Sequence, residues 1–263
     1  MDSSCSNSNS NTLAALAHQL RLYKPPPSSW EEEPNDDERG GGKIVSQVGF
    51  QESVAPVVVS DPEKLKFRPK KAAVLVCIFE GDDGGYRVIL TKRSSRLSTH
   101  SGEVSLPGGK AEEGDKDDGH TATREAYEEI GLDPSLVNVV TTLQPFLSKH
   151  LLRVVPVIGI LTDKKSFKPV PNPAEVEAVF DAPLEMFIKD ENRRAEEVDW
   201  MGTKHLLHLF DYEAGGNKFL IWGLTAAILI RAASVVYQRP PAFVEEKTKI
   251  KFPRDVSQNT VVP

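Results

Sequence analysis

Cysteine is almost missing from this chain: Cys5 and Cys77 are the two present among 263 residues. One lies in a polar tail and the other inside an apolar run, so no disulfide framework is available and a reducing compartment is expected. Long apolar stretches are equally scarce. The segment Phe219 to Tyr237 invites a membrane reading, but its uncharged character ends at Arg231. That is too soon for the roughly 20 residues a spanning helix needs. It reads as a buried core helix, and no membrane contact is expected. Positive charge is in deficit as well, with 32 Lys and Arg against 38 Asp and Glu and a net charge of −6. Broad nucleic-acid binding needs the opposite balance and is excluded. A polyphosphate substrate is compatible with it, because bound cations and a few local Lys or Arg reverse the field in one cleft. The Ser- and Asn-rich start has no apolar segment of the secretory kind.

What is present divides the chain into three. Residues 1–65 form an N-terminal extension: Leu13, Leu16, Ala17 and Leu20 have helical spacing, Pro25-Pro26-Pro27 stops it, and an acidic, glycine-rich linker that cannot bury a core follows. The helix is expected to dock on the domain. The compact domain spans 66–240. AAVLVCIF (72–79) and YRVILTKR (86–93) flank EGDDGG and predict a β-hairpin. A helix is expected near 119–130, ending at Gly131. Strands are expected at Val137–Leu143, Val154–Leu161, Val176–Phe180 and Lys218–Trp222, before the C-terminal helix. Residues 241–263 read as a loosely held tail. Strands mixed with two or three helices suggest an α/β sandwich around a mixed sheet rather than a doubly wound parallel fold.

The chemistry concentrates in HTATREAYEEIGL, residues 120–132. At about 100° per residue, Glu125, Glu128 and Glu129 share roughly a 100° arc of one helix face. Ala122, Ala126 and Ile130 form the apolar stripe that seats it. Arg124 stands four residues before Glu128 and can hold its rotamer. Three crowded carboxylates repel, which spreads their pKa values unless a cation is present. A hard divalent ion with oxygen ligands resolves the conflict. Taken alone, REAYEE also describes a plain solvated acidic face. Upstream, LPGGK (106–110) supplies two glycines that let backbone approach a ligand, and Asp115 follows six residues after Gly109.

This ordered set resembles the Nudix box, G-x5-E-x7-R-E-U-x-E-E-x-G-U with U aliphatic. Gly109, Arg124, Glu125, Glu128, Glu129, Gly131 and Leu132 match it. Asp115 replaces the first Glu, the spacer to Arg124 is eight residues rather than seven, and Ala126 is small for its aliphatic position. An Asp with that longer spacer is what the coenzyme A diphosphatase branch looks like. LTKRSSRLSTHSGEVSLPGGK (90–110) likewise resembles the segment preceding the box in that branch, with Ser105 where an aromatic or apolar residue often stands.

The resemblance implies a Nudix-type α/β/α sandwich with a mixed β-sheet, and an Mg²⁺- or Mn²⁺-dependent diphosphatase. Glu125 and Glu129 would be the main metal ligands, with the Gly109 carbonyl completing one shell. The catalytic candidates are Glu128, held by Arg124, and Glu175 from a later loop, with Glu177 as alternative to the latter. Lys92, Arg93, Arg96 and His100 would bind substrate. Coenzyme A carries a diphosphate and a 3′-phosphate, which a guanidinium fork grips bidentately; the products would be 3′,5′-ADP and 4′-phosphopantetheine. Two other readings stay open: hydrolysis of 8-oxo-dGTP, ADP-ribose or NADH, and a non-catalytic nucleotide-binding module. The expected location is the cytosol, with mitochondria as the alternative.

Overall fold

The computed structural model describes residues 5–26, 70–148, 152–200 and 203–245. The linker expected before residue 66 and the tail beyond 245 lie outside the described residues.

The two β-branched runs form the expected antiparallel hairpin, β1 (Lys71–Glu80) with β2 (Tyr86–Arg93). Two short strands bring the glycine loop onto it: β3 (Val104–Ser105) pairs β2, and β4 (Gly108–Lys110) pairs β1. The sheet continues with β5 (Val137–Thr142), β6 (Phe146–Leu147), β7 (Arg153–Leu161) and β8 (Val176–Pro183). Its order is β3-β2-β1-β7-β5, with β8 on β2 and β6 on β7. The β1–β7 pair is parallel while its neighbours are antiparallel, so the sheet is mixed as expected.

Alternation along β1 decides the layers. Ala73, Leu75, Cys77 and Phe79 face one way and pack on Ala122, Ala126 and Ile130 of α2 (Asp118–Ile130). Ala72, Val76 and Ile78 face the other way. There they meet α1 (Cys5–Arg21) and α3 (Gly223–Tyr237). The result is an α/β/α sandwich. Leu13, Leu16, Ala17 and Leu20 of α1 are all buried, so this helix belongs to the core of the domain. α3 buries Ala226, Ile228, Leu229, Ile230, Ala232, Ala233 and Val236. Among the described residues no helix is long and apolar enough to cross a membrane.

A second sheet was not anticipated in full. β11 (Asn217–Trp222) is the last strand expected, but it belongs to a three-stranded antiparallel sheet with β9 (Arg193–Trp200) and β10 (Thr203–Ala214). Its tie to the main sheet is aromatic: Phe180 of β8 stacks on Phe219 at 3.8 Å between centroids and on Tyr212 at 6.2 Å. The start of the expected loose tail is held. Phe243 packs on the His208 ring at 5.0 Å, and the Ala242 N–H donates to the Ile188 carbonyl.

Candidate active site

Helix α2 is fixed at both ends. The Asp117 side chain accepts the His120 N–H at 2.7 Å, and Gly131 adopts a left-handed C-cap at φ 70°. With its alanine stripe seated on β1, the helix turns Glu125 and Glu129 toward the Gly108–Gly109 loop. Glu129 is 4% exposed and accepts the Gly108 N–H at 3.1 Å. A side chain at Gly109 would meet the Glu125 carboxylate and push it aside, so the glycine lets that carboxylate lie against the loop.

Burial pushes Glu129 up to about 7, opposed by the Gly108 N–H and the Arg93 charge and reinforced by Glu125 and Glu175. Burial raises Glu125 as well, opposed by Arg124 and reinforced by Glu128 and Glu175. The structure therefore brings the expected ligands Glu125 and Glu129 into the field of the expected catalytic Glu175. Glu128 stands at the rim, its side chain 53% exposed and gripped by Arg124 at 3.2 Å.

Arg124 does more than hold Glu128. Its Nε and Nη2 donate to the two oxygens of Asp115, each at 3.0 Å, and Nη2 also reaches the Lys110 carbonyl at 3.0 Å. Asp115 further accepts from the Thr121 hydroxyl and the Glu112 N–H, each at 2.9 Å. Arg124 foremost holds its carboxyl well below the usual range. Asp115 is thus a half-buried strut that ties the glycine loop to α2.

The upstream loop divides. The register of β2 against β8 shifts between Lys92 and Arg93, and such an irregularity re-aims the residues that follow. The Arg93 charge acts on Glu129, and its Nε is buried without a hydrogen-bond partner. The next residue ties the two segments: the Ser94 N–H donates to the Glu175 carbonyl at 2.8 Å. Lys92 is not brought to the carboxylates; its Nζ donates to Glu177 at 2.6 Å, which also occupies Glu177. Arg96 is exposed on the loop. His100, left-handed at φ 56°, pairs with Glu103 at 2.8 Å.

One residue escaped the sequence reading. The Asn172 N–H donates to the Glu129 carbonyl at 2.9 Å, and the Asn172 carbonyl accepts the Glu175 N–H at 3.0 Å. Its side-chain oxygen accepts the Ala174 N–H at 3.1 Å. Asn172 links the helix carrying Glu129 to the turn carrying Glu175. The Asn172-Pro173 dipeptide, a turn-opening pair, was the available signal.

The donor set suits a hard cation: carboxylate oxygens beside a glycine cradle, two of them unfavourably buried as anions. Among the described residues no trio of His, Cys, Asp or Glu side chains already converges as a cage. A divalent ion here would take one or two glutamates and complete its shell with water and substrate phosphate, the habit of Mg²⁺ in particular.

Residues 69–222 match the family model of the NUDIX domain. The chain belongs to the Nudix hydrolase family. It is 74% identical over 213 residues to Nudix hydrolase 15, mitochondrial, of Arabidopsis thaliana, covering 81% of this chain and 74% of that protein. Identity to Nudix hydrolase 22, chloroplastic, of the same plant is 67% over 249 residues, covering 94% and 80%. Peroxisomal coenzyme A diphosphatase NUDT7 of Mus musculus is 37% identical over 162 residues, covering 61% and 68%. As a Nudix hydrolase the protein acts on diphosphate bonds in small nucleotide derivatives, and this family generally works with divalent metal ions. The non-catalytic reading is thereby set aside.

Proposed function

We propose that this Nudix hydrolase cleaves the diphosphate of coenzyme A and its derivatives, giving 3′,5′-ADP and 4′-phosphopantetheine. The observation that carries the reading is Arg93, whose charge is set against Glu129 at the register shift in β2. The segment around it resembles the one preceding the box in coenzyme A-cleaving relatives, and the mouse relative is named for that activity. A guanidinium near the glutamates proposed to hold the metal can grip a phosphate bound there.

In this reading Glu125, Glu129 and the Gly109 carbonyl would hold Mg²⁺ or Mn²⁺. Bound there, the ion would supply charge neutralisation at the diphosphate and a lowered pKa for the attacking water. Glu175 accepts the proton of that water, with Glu177 set aside by its pairing to Lys92. Glu128, steadied by Arg124, serves as a further carboxylate at the rim. Attack forms one P–O bond, breaks the bond to the bridging oxygen, and leaves the two phosphate monoesters. Of the expected substrate-binding residues, Arg93 is assigned to the diphosphate, and the exposed Arg96 and His100 to the nucleotide's other phosphate. Lys92 braces the strand pair instead.

The two Arabidopsis relatives are named for the mitochondrion and the chloroplast. Their names favour an organellar address over the cytosolic one expected from composition.

Two substitutions test the reading. Arg93→Ala is expected to lower kcat/KM by roughly a hundredfold, the worth of a lost charge-assisted pair, on coenzyme A and ADP-ribose alike, because both carry the diphosphate. Arg96→Ala is expected to weaken coenzyme A hydrolysis and leave ADP-ribose, which has no 3′-phosphate, nearly unchanged; equal effects of Arg96→Ala on both substrates would remove coenzyme A specificity from the loop.

A further inference from the structure

The chemistry above makes no use of the three-stranded sheet, and one edge of that sheet is laid out to receive a copy of itself. Among the described residues β9 is paired on one side, to β10. The pairing is unbroken from Arg193 opposite Phe210 to Trp200 opposite Thr203. Its outer side therefore presents an eight-residue row of backbone donors and acceptors, a template for another strand. Native edges are commonly blunted by charged side chains, proline, a bulge or brevity. β9 contains no proline or glycine, and its ladder shows no register shift.

It has ordered charge instead: Arg193-Arg194-Ala195-Glu196-Glu197. Laid antiparallel on a second copy about a two-fold axis through Ala195, Arg194 stands opposite the partner's Glu196, and Arg193 opposite the partner's Glu197. The symmetry repeats both pairs. A slip of one residue leaves a single attractive pairing within this run, Arg194 with the partner's Glu197 or Arg193 with the partner's Glu196. A slip of two sets Arg194 against the partner's Arg194, or Glu196 against the partner's Glu196. Parallel in-register pairing opposes like charges throughout. Directly opposed charges of opposite sign favour a strand pair and like charges disfavour it, so the sequence selects one register.

Side-chain placement singles out the outer pair. Arg194 and Glu196 are 51% and 58% exposed and lie 3.9 Å apart, with Arg194 also reaching Asp211 at 2.9 Å. Arg193 is turned under Phe243, held by Asp190 at 2.6 Å and by the His208 ring at 3.0 Å. Re-pairing falls to Arg194 and Glu196.

We propose that the chain forms a symmetric dimer by antiparallel pairing of β9 with β9 about Ala195, joining two three-stranded sheets into one of six strands. An isologous contact of this kind closes on itself and leaves no unpaired β9 for further growth. Sedimentation of the full chain over a concentration series is the test. The expected result is a monomer–dimer equilibrium that Glu196→Arg weakens by about tenfold or more, since two attractive pairs become two repulsive ones. Adding Arg194→Glu to Glu196→Arg reverses both charges together, and is expected to restore the dimer. Both positions are exposed, so folding is not at stake. A chain that stays monomeric into the high micromolar range overturns the proposal. So does a dimer indifferent to Glu196→Arg, or one the double reversal fails to restore.

Discussion

Glu129 bears the electrostatic cost of the site. A carboxylate at 4% exposure that ionises only at about 7 is less stable as an anion in the folded protein than in the unfolded chain, where 4.5 applies. The linkage has a definite sign. A raised carboxylate contributes its full stability below pH 4.5 and loses it as pH climbs through about 7. Metal-free protein is therefore expected to weaken across that window by on the order of 3 kcal/mol relative to Glu129→Gln, as measured by urea unfolding under chelation. Added Mn²⁺ should recover stability increasingly over the same window. A flat difference between the two proteins would mean that Glu129 ionises normally. At this scale the sequence was partly legible. Spacing placed Glu125, Glu128 and Glu129 on one face, but their burial differs because only Glu125 and Glu129 turn toward the glycine loop. Asp115 read as a variant of the box acid, yet its role as a strut depends on Arg124, Thr121 and Glu112 converging in space. Spacing alone cannot show that.

The elements divide the work between the two faces of the sheet. α2 carries the carboxylates on one face, while α1 and α3 close the core on the other. Leu20→Ala on α1 is expected to lower stability by about 3 kcal/mol, as a buried leucine truncation does, with kcat unchanged once the protein is folded. Thermal melts and steady-state rates check both halves. The turn at Asn172 joins elements rather than filling a core. Asn172→Ala releases the Ala174 N–H and loosens the segment carrying Glu175, so kcat is expected to fall by between about tenfold and a hundredfold with KM little changed. Asn172→Asp keeps the acceptor oxygen and should restore the rate, whereas a merely packing role would not distinguish the two. Hairpin, helix and core strands were readable because their apolar periodicity is strong. β9 was not, because RRAEEVDW is mostly solvent-facing and shows no apolar alternation. β10 carries a nearly continuous apolar run, LLHLF, whose two faces are both covered, and periodicity does not tell such a run from buried helix.

At the scale of the whole molecule, a chain of net charge −6 folds so that Glu125 and Glu129 face the Gly108–Gly109 loop, with the Arg93 charge acting on Glu129. In the proposed reading Glu125 and Glu129 would take a cation and Arg93 a phosphate. Fold and box were legible because a helix with a glycine loop on one side is a local pattern. Substrate choice was less so, since it depends on how the loop after β2 sits against α2 and β8. The most direct measurement is product analysis after incubating the protein and Glu129→Gln with Mg²⁺ or Mn²⁺ and coenzyme A, ADP-ribose, NADH and 8-oxo-dGTP. The account predicts 3′,5′-ADP and 4′-phosphopantetheine from coenzyme A as the dominant products, abolished by EDTA and lost in Glu129→Gln. Faster turnover of any other substrate on that panel would contradict it.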